Sequence, residues 1–443
     1  MWKRLIIIFG ALVMTCLLDR SYVLYISPYF EYQGMFLKEL PQYMFTLKLL
    51  LALLPSYWLP IEIEKPSQFQ VWLLYITVYI PAIVVGYHII DDQKFFGYSV
   101  FVVVMAFCLI LLTYVSYLNK IKIKTLSFNK LQFLTFVVIM TILTFSLLAK
   151  FYGIPSFLLG IGETYKYRVD FKEKVTTVPI IVNYLYFWQG LVITPLIIIL
   201  GIIRKNAIYI AVGIALQYSL FCFTTLRTFV MAIFFIIYIS IFFLVVKKNR
   251  GIMFLYSIIL IISACLYLAA ISGGASLVSR IFLQRWLLSS GQLSSAYYDY
   301  FSDNDKAYWG DSLLSGYVEY SYGDLSPSQV IGDIYVSLGN ENIANASANF
   351  WSDAFANAGY PGLFTATLFA ACLLWIVDSV FSKYNHGVAV IMFSMCALSL
   401  TEQGLQTSML TGGIFLLIMI GMVSSKVFQL GERWLGLKIK LFT

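Results

Sequence analysis

Residues 220–250 read LFCFTTLRTFVMAIFFIIYISIFFLVVKKNR, and this stretch shows how the whole chain is built. Two apolar runs meet at a short turn that carries one charge, Arg227, and the second run ends in the basic loop KKNR. A run of about 20 apolar residues is long enough for a helix to cross a bilayer. The stretch therefore predicts one transmembrane helix that ends near residue 224 and a second over residues 228–246.

The composition of the whole chain agrees with this stretch. Of 443 residues, 60% are hydrophobic and 12% are charged, and the mean hydropathy is +0.83. Soluble globular proteins have roughly 25% charged residues. The composition excludes a soluble globular protein, a disordered chain and a small disulfide scaffold. It predicts one integral membrane domain over residues 1–443, of the all-α polytopic class.

Apolar runs bounded by charged or turn residues predict about twelve transmembrane helices. In chain order they lie near residues 5–26, 44–59, 69–90, 98–118, 131–149, 179–203, 207–224, 228–246, 251–271, 357–379, 387–402 and 406–425.

Lysine and arginine collect in the short loops at residues 119–130, 204–206 and 247–250 and near both chain ends. Cytoplasmic loops carry an excess of these residues. We therefore expect both termini to be cytoplasmic. Nearly all acidic residues then lie outside, together with two polar segments, an outer loop at 150–178 and a long outer loop at 272–356 between the ninth and tenth spans. The basic loops need no nucleic acid to explain them.

The long outer loop opens with VSRIFLQRWLLSSGQLSSAYYDYF, residues 278–301. Apolar residues recur there at helical spacing, with Arg280 and Arg285 between them, which predicts an amphipathic helix at the membrane interface. A cluster rich in tyrosine, tryptophan and short polar residues follows. Aromatic rings stack on sugars and polar side chains bind hydroxyl groups, so the cluster suits a sugar surface. An interfacial aromatic belt is the alternative explanation. The candidate sugar-binding residues are Arg168, Tyr298, Tyr320 and Trp351.

Three arginines are candidate ligands of an anion. Arg227 lies at a tight outer turn, where its charge is costly unless it faces a polar cavity or an anion; the alternative is that it extends to the membrane surface. Arg280 and Arg285 are predicted on the same side of the membrane. Such a cluster would bind a diphosphate through charge-assisted bidentate hydrogen bonds.

Two acids near outer helix ends are the first candidates for a catalytic base, Asp353 before Glu402, and Asp19, Asp91 and Asp92 are other candidates at the outer rim. Asp303 and Asp305 form a DxD pair, a motif that holds a divalent metal in many glycosyltransferases, but it lies in an acid-rich loop where a solvated role is the simpler explanation. We predict neither a metal nor a cofactor.

Two stretches resemble the Wzy-type polymerases of bacterial O-antigen, the oligosaccharide repeat unit polymerases. TTLRTFVMAIFF, residues 224–235, is similar to that family's Thr-Arg helix start, and NASANFWSDAFANAGYPGLF, residues 345–364, is similar to the segment that leads from its long outer loop into the next helix. Arg280 and Gly291 also match an arginine and glycine spacing of some members. The first outer loop departs from that pattern, with Pro179 where the glycine would follow Arg168.

The resemblance implies a GT-C-like helical fold and a glycosyltransferase of the bacterial inner membrane with its active site facing the periplasm. The donor would be a growing glycan on undecaprenyl diphosphate, the acceptor a lipid-linked repeat unit, and the transfer inverting and metal-independent. Arg227, Arg280 and Arg285 would bind the diphosphate. Asp353 or Glu402 would act as base near the attacking hydroxyl. A chain-length regulator is a further potential partner, beside membrane lipid.

Two other functions stay open. O-antigen ligases resemble this chain but carry a histidine in the long outer loop, whereas His88 and His386 both lie elsewhere. A polysaccharide or lipid transporter would show ionisable residues within its spans, and Lys48 is the main charge predicted there. The sequence favours the polymerase.

Overall fold

The computed structural model describes residues 1–123, 128–155, 177–272, 280–312, 314–337 and 345–429, together with Phe171, Lys174 and Val175. This part of the chain consists of helices, turns and loops and contains no β-strand. Ten of its helices are long and apolar enough to cross a membrane. The predicted all-helical polytopic membrane protein is confirmed at that level.

We number the main helices in chain order. They are α1 (Trp2–Gln33), α2 (Gln42–Leu53), α3 (Pro66–Ile89), α4 (Asp92–Ser116), α5 (Lys130–Tyr152), α6 (Ile180–Arg204), α7 (Ala207–Thr224), α8 (Arg227–Val245), α9 (Arg250–Ile271), α10 (residues 280–303), α11 (Phe350–Lys383), α12 (His386–Glu402) and α13 (Leu405–Val423). Helices α2 and α12 coincide with predicted spans but have 12 and 17 residues and are not among the ten. A total of twelve spans therefore stays a prediction.

The predicted cytoplasmic loops meet at one end of the helix bundle, which we call the basic end. Three hydrogen bonds tie its loops together: Lys65 Nζ to the Ser116 carbonyl (2.6 Å), Trp375 Nε1 to the Asn119 carbonyl (2.8 Å) and Arg204 Nη2 to the Val427 carbonyl (3.3 Å). The loops that are predicted on one side of the membrane from their charge therefore lie at the same end of the fold.

The opposite end, which we call the acidic end, is joined by a second set of contacts. Lys94 at the start of α4 forms an ion pair of 2.8 Å with Asp299 of α10. Trp188 Nε1 of α6 donates to the carbonyl of Leu410 in α13, at 2.7 Å. Arg227 lies at this end as the first residue of α8, Asp353 in the first turn of α11, and Glu402 as the last residue of α12.

Helix α3 is the central helix of the bundle, because its apolar stretch is buried along its whole length. A π-helical segment, Tyr75–Tyr79, precedes Pro81 and accommodates the ring that an unbroken α-helix would not. Helix α10 packs along the last ten residues of α3. A Cβ on Gly291 would lie 2.1 Å from the Pro81 carbonyl oxygen, so a glycine is needed at this crossing.

Helix α11 changes direction near the acidic end. Ala358 and Gly359 have non-helical backbone angles, with Gly359 at φ +62°, and Pro361 begins the helix again. A positive φ favours glycine, and proline fits the first turn of a helix. The kink separates a short helical segment that carries Asp353 from the long apolar part of α11.

Candidate active site

A buried polar network fixes the start of α11. The Asn349 side chain accepts hydrogen bonds from the backbone N–H groups of Trp351 and Ser352, at 3.1 and 3.2 Å, and caps the helix. Its Nδ2 donates to Ser294 Oγ of α10 at 2.9 Å. All of these groups are buried. The turn that follows, which carries Asp353, is therefore held in place by α10.

Asp353 is half-buried, and within the described part of the chain no side chain or backbone group donates a hydrogen bond to its carboxylate. Across the fold it lies against Gly404, the residue before α13, where a Cβ would lie 2.5 Å from Asp353 Oδ2. Glu402 precedes that glycine by two residues and is exposed. The turn that follows Glu402 thus reaches Asp353, with a glycine making room for the carboxylate.

A third acid belongs to the same region. Asp311, in the segment between α10 and α11, lies close enough to Asp353 for the two carboxylates to repel each other. Burial raises the pKa of Asp311 above its ordinary value, and hydrogen bonds from its own backbone N–H and from Ser312 offset part of that rise. The site therefore includes a second carboxyl group near that of Asp353.

Arg227 begins α8, which packs against α12, and lies about as far from the basic end of the bundle as Glu402 does. Helices α8 and α12 pack against each other, with Phe243 against Gly387 near the basic end. From that contact to the acidic end, α8 extends sixteen residues to Arg227 and α12 fifteen to Glu402, about 24 and about 22 Å at the α-helical rise. Arg227 therefore lies at the depth of Glu402 and Gln403. Its side chain is exposed.

Arg285 and Arg280, the other two predicted ligands of the diphosphate, lie on α10. Arg285 is exposed on α10, and the next residue, Trp286, packs edge-on against Phe235 of α8, with ring centroids 6.3 Å apart. This contact puts the first part of α10 beside the helix that starts with Arg227. Arg280 is the first residue of α10, but its side chain lies outside the described part, as does Arg168.

The aromatic residues predicted to bind sugar are mostly core residues. Trp351 is fully buried and its Nε1 donates to Thr367 Oγ1 at 3.0 Å, and Tyr298 is buried against Phe355 and Tyr98. A ring with no exposed face offers a sugar nothing to stack on, so neither residue joins the site in this structure. Tyr320 is half-buried and donates to the Leu325 carbonyl at 2.5 Å.

Two other aromatic residues are held in a strained conformation beside the site. Tyr308 and Trp309 have φ values of +47° and +55°, which are uncommon outside glycine. Hydrogen bonds to Asn357 of α11 hold them there: Tyr308 N–H donates to its carbonyl and Trp309 N–H to its Oδ1, at 3.0 and 2.7 Å. Tyr308 is 49% exposed. Such strain concentrates at functional sites, and this ring is a better candidate for sugar stacking than Trp351.

A pocket of about 370 Å³ lies elsewhere at the acidic end, lined by residues that include Asp91, Ser295 and Tyr335. The Lys94 and Asp299 ion pair also lines it, and Tyr335 Oη donates to Asp299 Oδ2 at 2.6 Å. Burial and this hydrogen bond raise the pKa of Tyr335. Each charged group here has a partner, so the pocket differs from the Asp353 region, where the carboxylate has none among the described residues.

The DxD pair is engaged with the protein. Asp303 Oδ2 binds Lys94 Nζ at 2.7 Å, and this hydrogen bond lowers the pKa of Asp303. Asp305 Oδ2 accepts from Ser321 Oγ at 2.9 Å. Among the described residues, no group of three or more histidine, cysteine or acidic side chains is arranged to hold a metal ion.

No family model matches this chain, and neither a curated protein nor a solved structure does. The resemblance of residues 224–235 and 345–364 to the Wzy-type polymerases is therefore a hypothesis that rests on those residues.

The sequence singles out Asp353, Glu402 and Arg227 as candidates, but it does not single out three residues that the structure places in the same region. Asp311 was one of many loop acids, and nothing in the sequence pairs it with Asp353. Gly404 had a local signal, since it follows Glu402 in the run SLTEQGLQ. The strained Tyr308 belongs to the aromatic cluster, where composition does not distinguish it from its neighbours.

Proposed function

We propose that this protein joins lipid-linked oligosaccharide repeat units, as a polymerase of bacterial O-antigen or a related surface polysaccharide. The observation that carries the proposal is the half-buried Asp353 carboxylate, which accepts no hydrogen bond among the described residues and faces the Gly404 turn beside Glu402. A carboxylate without donors is more basic than one that is hydrogen-bonded, and it is available to a substrate hydroxyl.

In the proposed reaction, a hydroxyl of the acceptor repeat unit attacks the anomeric carbon of the donor glycan. Asp353 takes the hydroxyl proton as general base. The bond to the donor's undecaprenyl diphosphate breaks, and the configuration at the anomeric carbon is inverted. Glu402 is the second candidate for the base, two residues from the glycine that contacts Asp353.

The leaving diphosphate gains negative charge as the bond breaks, and positive charge nearby stabilises it. Arg227 is exposed at the same depth as Glu402, at the first turn of a helix where backbone N–H groups also favour an anion. Arg285 and Arg280 lie on the helix that packs beside α8. In this proposal the arginines replace a divalent metal, the acidic end faces the periplasm of the inner membrane, and the fold is GT-C-like with twelve spans.

The test is reconstitution. The purified chain is incubated in lipid vesicles with repeat units linked to undecaprenyl diphosphate, and the glycans are separated on a gel. We expect a ladder of products that differ by one repeat unit. Transfer of finished glycan to a lipid A core without laddering would instead support the ligase alternative.

One observation favours a transporter as second candidate. Lys48 is fully buried within the bundle beside Asp19 and His88, and buried ionisable residues are typical of transport pathways. A transporter would move labelled lipid-linked glycan across sealed vesicles without changing its length. The same vesicles therefore distinguish the two functions.

A further inference from the structure

Three ionisable side chains meet where α1, α2 and α3 pack together near the acidic end. Lys48 is fully buried and its Nζ contacts Asp19 Oδ1. His88 Nε2 lies 3.0 Å from the same oxygen. The ring of Tyr22 stacks on the His88 ring, with centroids 5.2 Å apart. None of these residues belongs to the proposed active site.

The hydrogen bonds of His88 determine where its protons are. Nδ1 lies 2.9 Å from the Lys38 carbonyl oxygen, which can only accept, so Nδ1 carries a hydrogen. Nε2 faces Asp19, whose ionised carboxylate also only accepts. A proton must therefore lie between Nε2 and Oδ1, on one atom or the other. Neutral imidazole beside an ionised carboxylate would place two lone pairs against each other.

We propose that Asp19 and His88 form a proton-binding site whose bound proton keeps residues 34–41 closed over the end of α3. These residues connect α1 to α2. Besides the His88 contact, they are held by an ion pair between Lys38 Nζ and Asp92 and by the Tyr22 hydroxyl, which donates to the Phe36 carbonyl at 2.5 Å.

Loss of the proton opens this closure. Without it, the Nε2 lone pair faces the Asp19 carboxylate, and the repulsion is relieved when the ring turns and gives up its bond to Lys38. The proton is released to solvent at the acidic end. Because the closed form binds the proton and the open form does not, acid favours closure and rising pH favours opening.

Other charges on the packed elements act on this site. The titratable and charged groups near this end of α3, on the elements that pack against it, include Cys16, Arg20, Tyr22 and Tyr25 of α1, Lys38 and Glu39 of the connecting segment, Tyr43 and Lys48 of α2, Tyr87, Asp91 and Asp92 beside His88, Lys94 and Tyr98 of α4, Arg285, Tyr297, Tyr298 and Asp299 of α10, and Tyr335. Lys48 has the shortest contact with Asp19 and competes with His88 for the carboxylate.

Opening would reach the neighbouring pocket. Ile89, Ile90 and Asp91 line one wall of it and directly follow His88 in the chain. Lys38 Nζ also donates to the Ile90 carbonyl, at 3.4 Å. The proton site therefore sets the position of the chain that forms this wall, whichever substrate the protein handles.

The protonation state can be observed directly, because the chain has two histidines. His386 is exposed at the basic end, and its replacement, His386→Gln, leaves His88 as the sole histidine. In ¹⁵N-histidine NMR of this protein on the acid side of the transition, we expect one-bond couplings to hydrogen at Nδ1 and, through the shared proton, at Nε2. A spectrum with Nε2 unprotonated and no hydrogen shared with Asp19 would overturn the proposal.

Two variants distinguish the effect of the Asp19 carboxylate on the His88 proton from the effect of Lys48. In Asp19→Asn the carboxylate becomes a neutral amide whose NH₂ group can donate to Nε2, so His88 should lose its Nε2 proton and become neutral. Lys48→Met leaves the Asp19 and His88 pair and should keep the proton. Retention of the Nε2 proton in Asp19→Asn, or its loss in Lys48→Met, would contradict the assignment.

Hydrogen exchange tests the closure. In the wild type, the protection factors of the Gly34 and Met35 amides, which donate to the Glu31 and Phe30 carbonyl groups, should fall about tenfold as the pH rises, as expected for loss of a charge-assisted hydrogen bond, while the buried core of α3 keeps its protection. In Asp19→Asn, which has no carboxylate to repel the Nε2 lone pair, the protection factors of the two amides should not change with pH. Wild-type protection factors that do not depend on pH, or a loss of protection that extends along the buried core of α3, would overturn the proposal.

Discussion

Two aspartates on the same helix, α11, have opposite surroundings. Asp378, at the basic end, is 3% exposed, and its oxygens accept from the Ser67 backbone N–H at 3.0 Å and the Ser67 hydroxyl at 2.5 Å. It stabilises the start of α3. Asp353, at the acidic end, is half-buried and accepts no hydrogen bond among the described residues.

The difference shows that burial alone does not identify a functional acid. A buried carboxylate whose oxygens are both hydrogen-bonded contributes to stability, and its removal leaves buried donors without partners. A carboxylate without donors contributes little to stability, so another use explains its position better. The predictions below test this contrast.

The largest effect is expected from Asp353→Asn. The substitution keeps the shape of the side chain but removes the base, and general base catalysis contributes about 100-fold or more. We expect laddering by the purified protein to fall by at least about that factor, with an unchanged unfolding temperature. Unchanged laddering would assign the base to another residue, and Glu402→Gln would then be the variant to examine.

Arg227→Gln removes a charge that the proposal places beside the leaving diphosphate. We expect laddering to fall by about 10- to 100-fold, as for loss of one donor that stabilises developing charge, and Arg227→Lys to retain part of the activity. Arg204→Gln, a change at the basic end, is the matched control and should leave laddering near the wild-type rate. Equal losses in both glutamine variants would remove Arg227 from the site.

Gly404→Ala acts on Asp353 without changing its charge. The added Cβ would lie 2.5 Å from Asp353 Oδ2, so the carboxylate must move. Because a displacement of about 1 Å can cost up to 100-fold, we expect a clear loss of laddering, smaller than that of Asp353→Asn. Gly387→Ala is the control, since its Cβ would meet no atom closer than 3.5 Å. A fully active Gly404→Ala protein would show that the carboxylate position is not critical.

Asp378→Asn should affect stability instead of chemistry. The amide cannot accept both hydrogen bonds from Ser67, so we expect the free energy of unfolding to fall by about 1–3 kcal/mol. Thermal unfolding in detergent measures this loss. Laddering per folded molecule should stay near the wild-type value, and a specific loss of activity in a fully stable protein would erase the contrast with Asp353.

Chelation of divalent metals is expected to have the smallest effect. The proposed site uses arginines where other glycosyltransferases use a metal, and Asp303 and Asp305 bind Lys94 and Ser321. Laddering in EDTA should match the untreated rate. Activity that disappears in EDTA and returns with added Mg²⁺ would overturn the metal-independent mechanism.

The sequence predicted the general architecture because apolar length and loop charge act locally. The run around Arg227 specifies two helices and a turn without reference to the rest of the chain. The same reasoning could not separate Asp353 from Asp378, because the partner of Asp378 is Ser67, 311 positions away. It also assigned Trp351 to a sugar surface, since composition does not reveal that Thr367 and the core surround the ring.

Pairings between distant residues account for the other differences. The contact between Gly404 and Asp353 depends on how α11 and α13 pack, and the proton shared by Asp19 and His88 depends on α1 lying beside α3. These contacts arise from tertiary packing and have no periodic signature in the sequence. The sequence places the charge of Lys48 within a predicted span, but it does not reveal that Asp19 and His88 lie beside it.

The most direct test of the central claim counts products in one reaction. The purified wild-type protein, in vesicles with lipid-linked repeat units, is assayed for new glycosidic bonds and for released undecaprenyl diphosphate. The proposed mechanism predicts one molecule of lipid diphosphate for each bond formed, and at least about 100-fold less of both products with Asp353→Asn. Glycans that keep their length while no lipid diphosphate is released would contradict it.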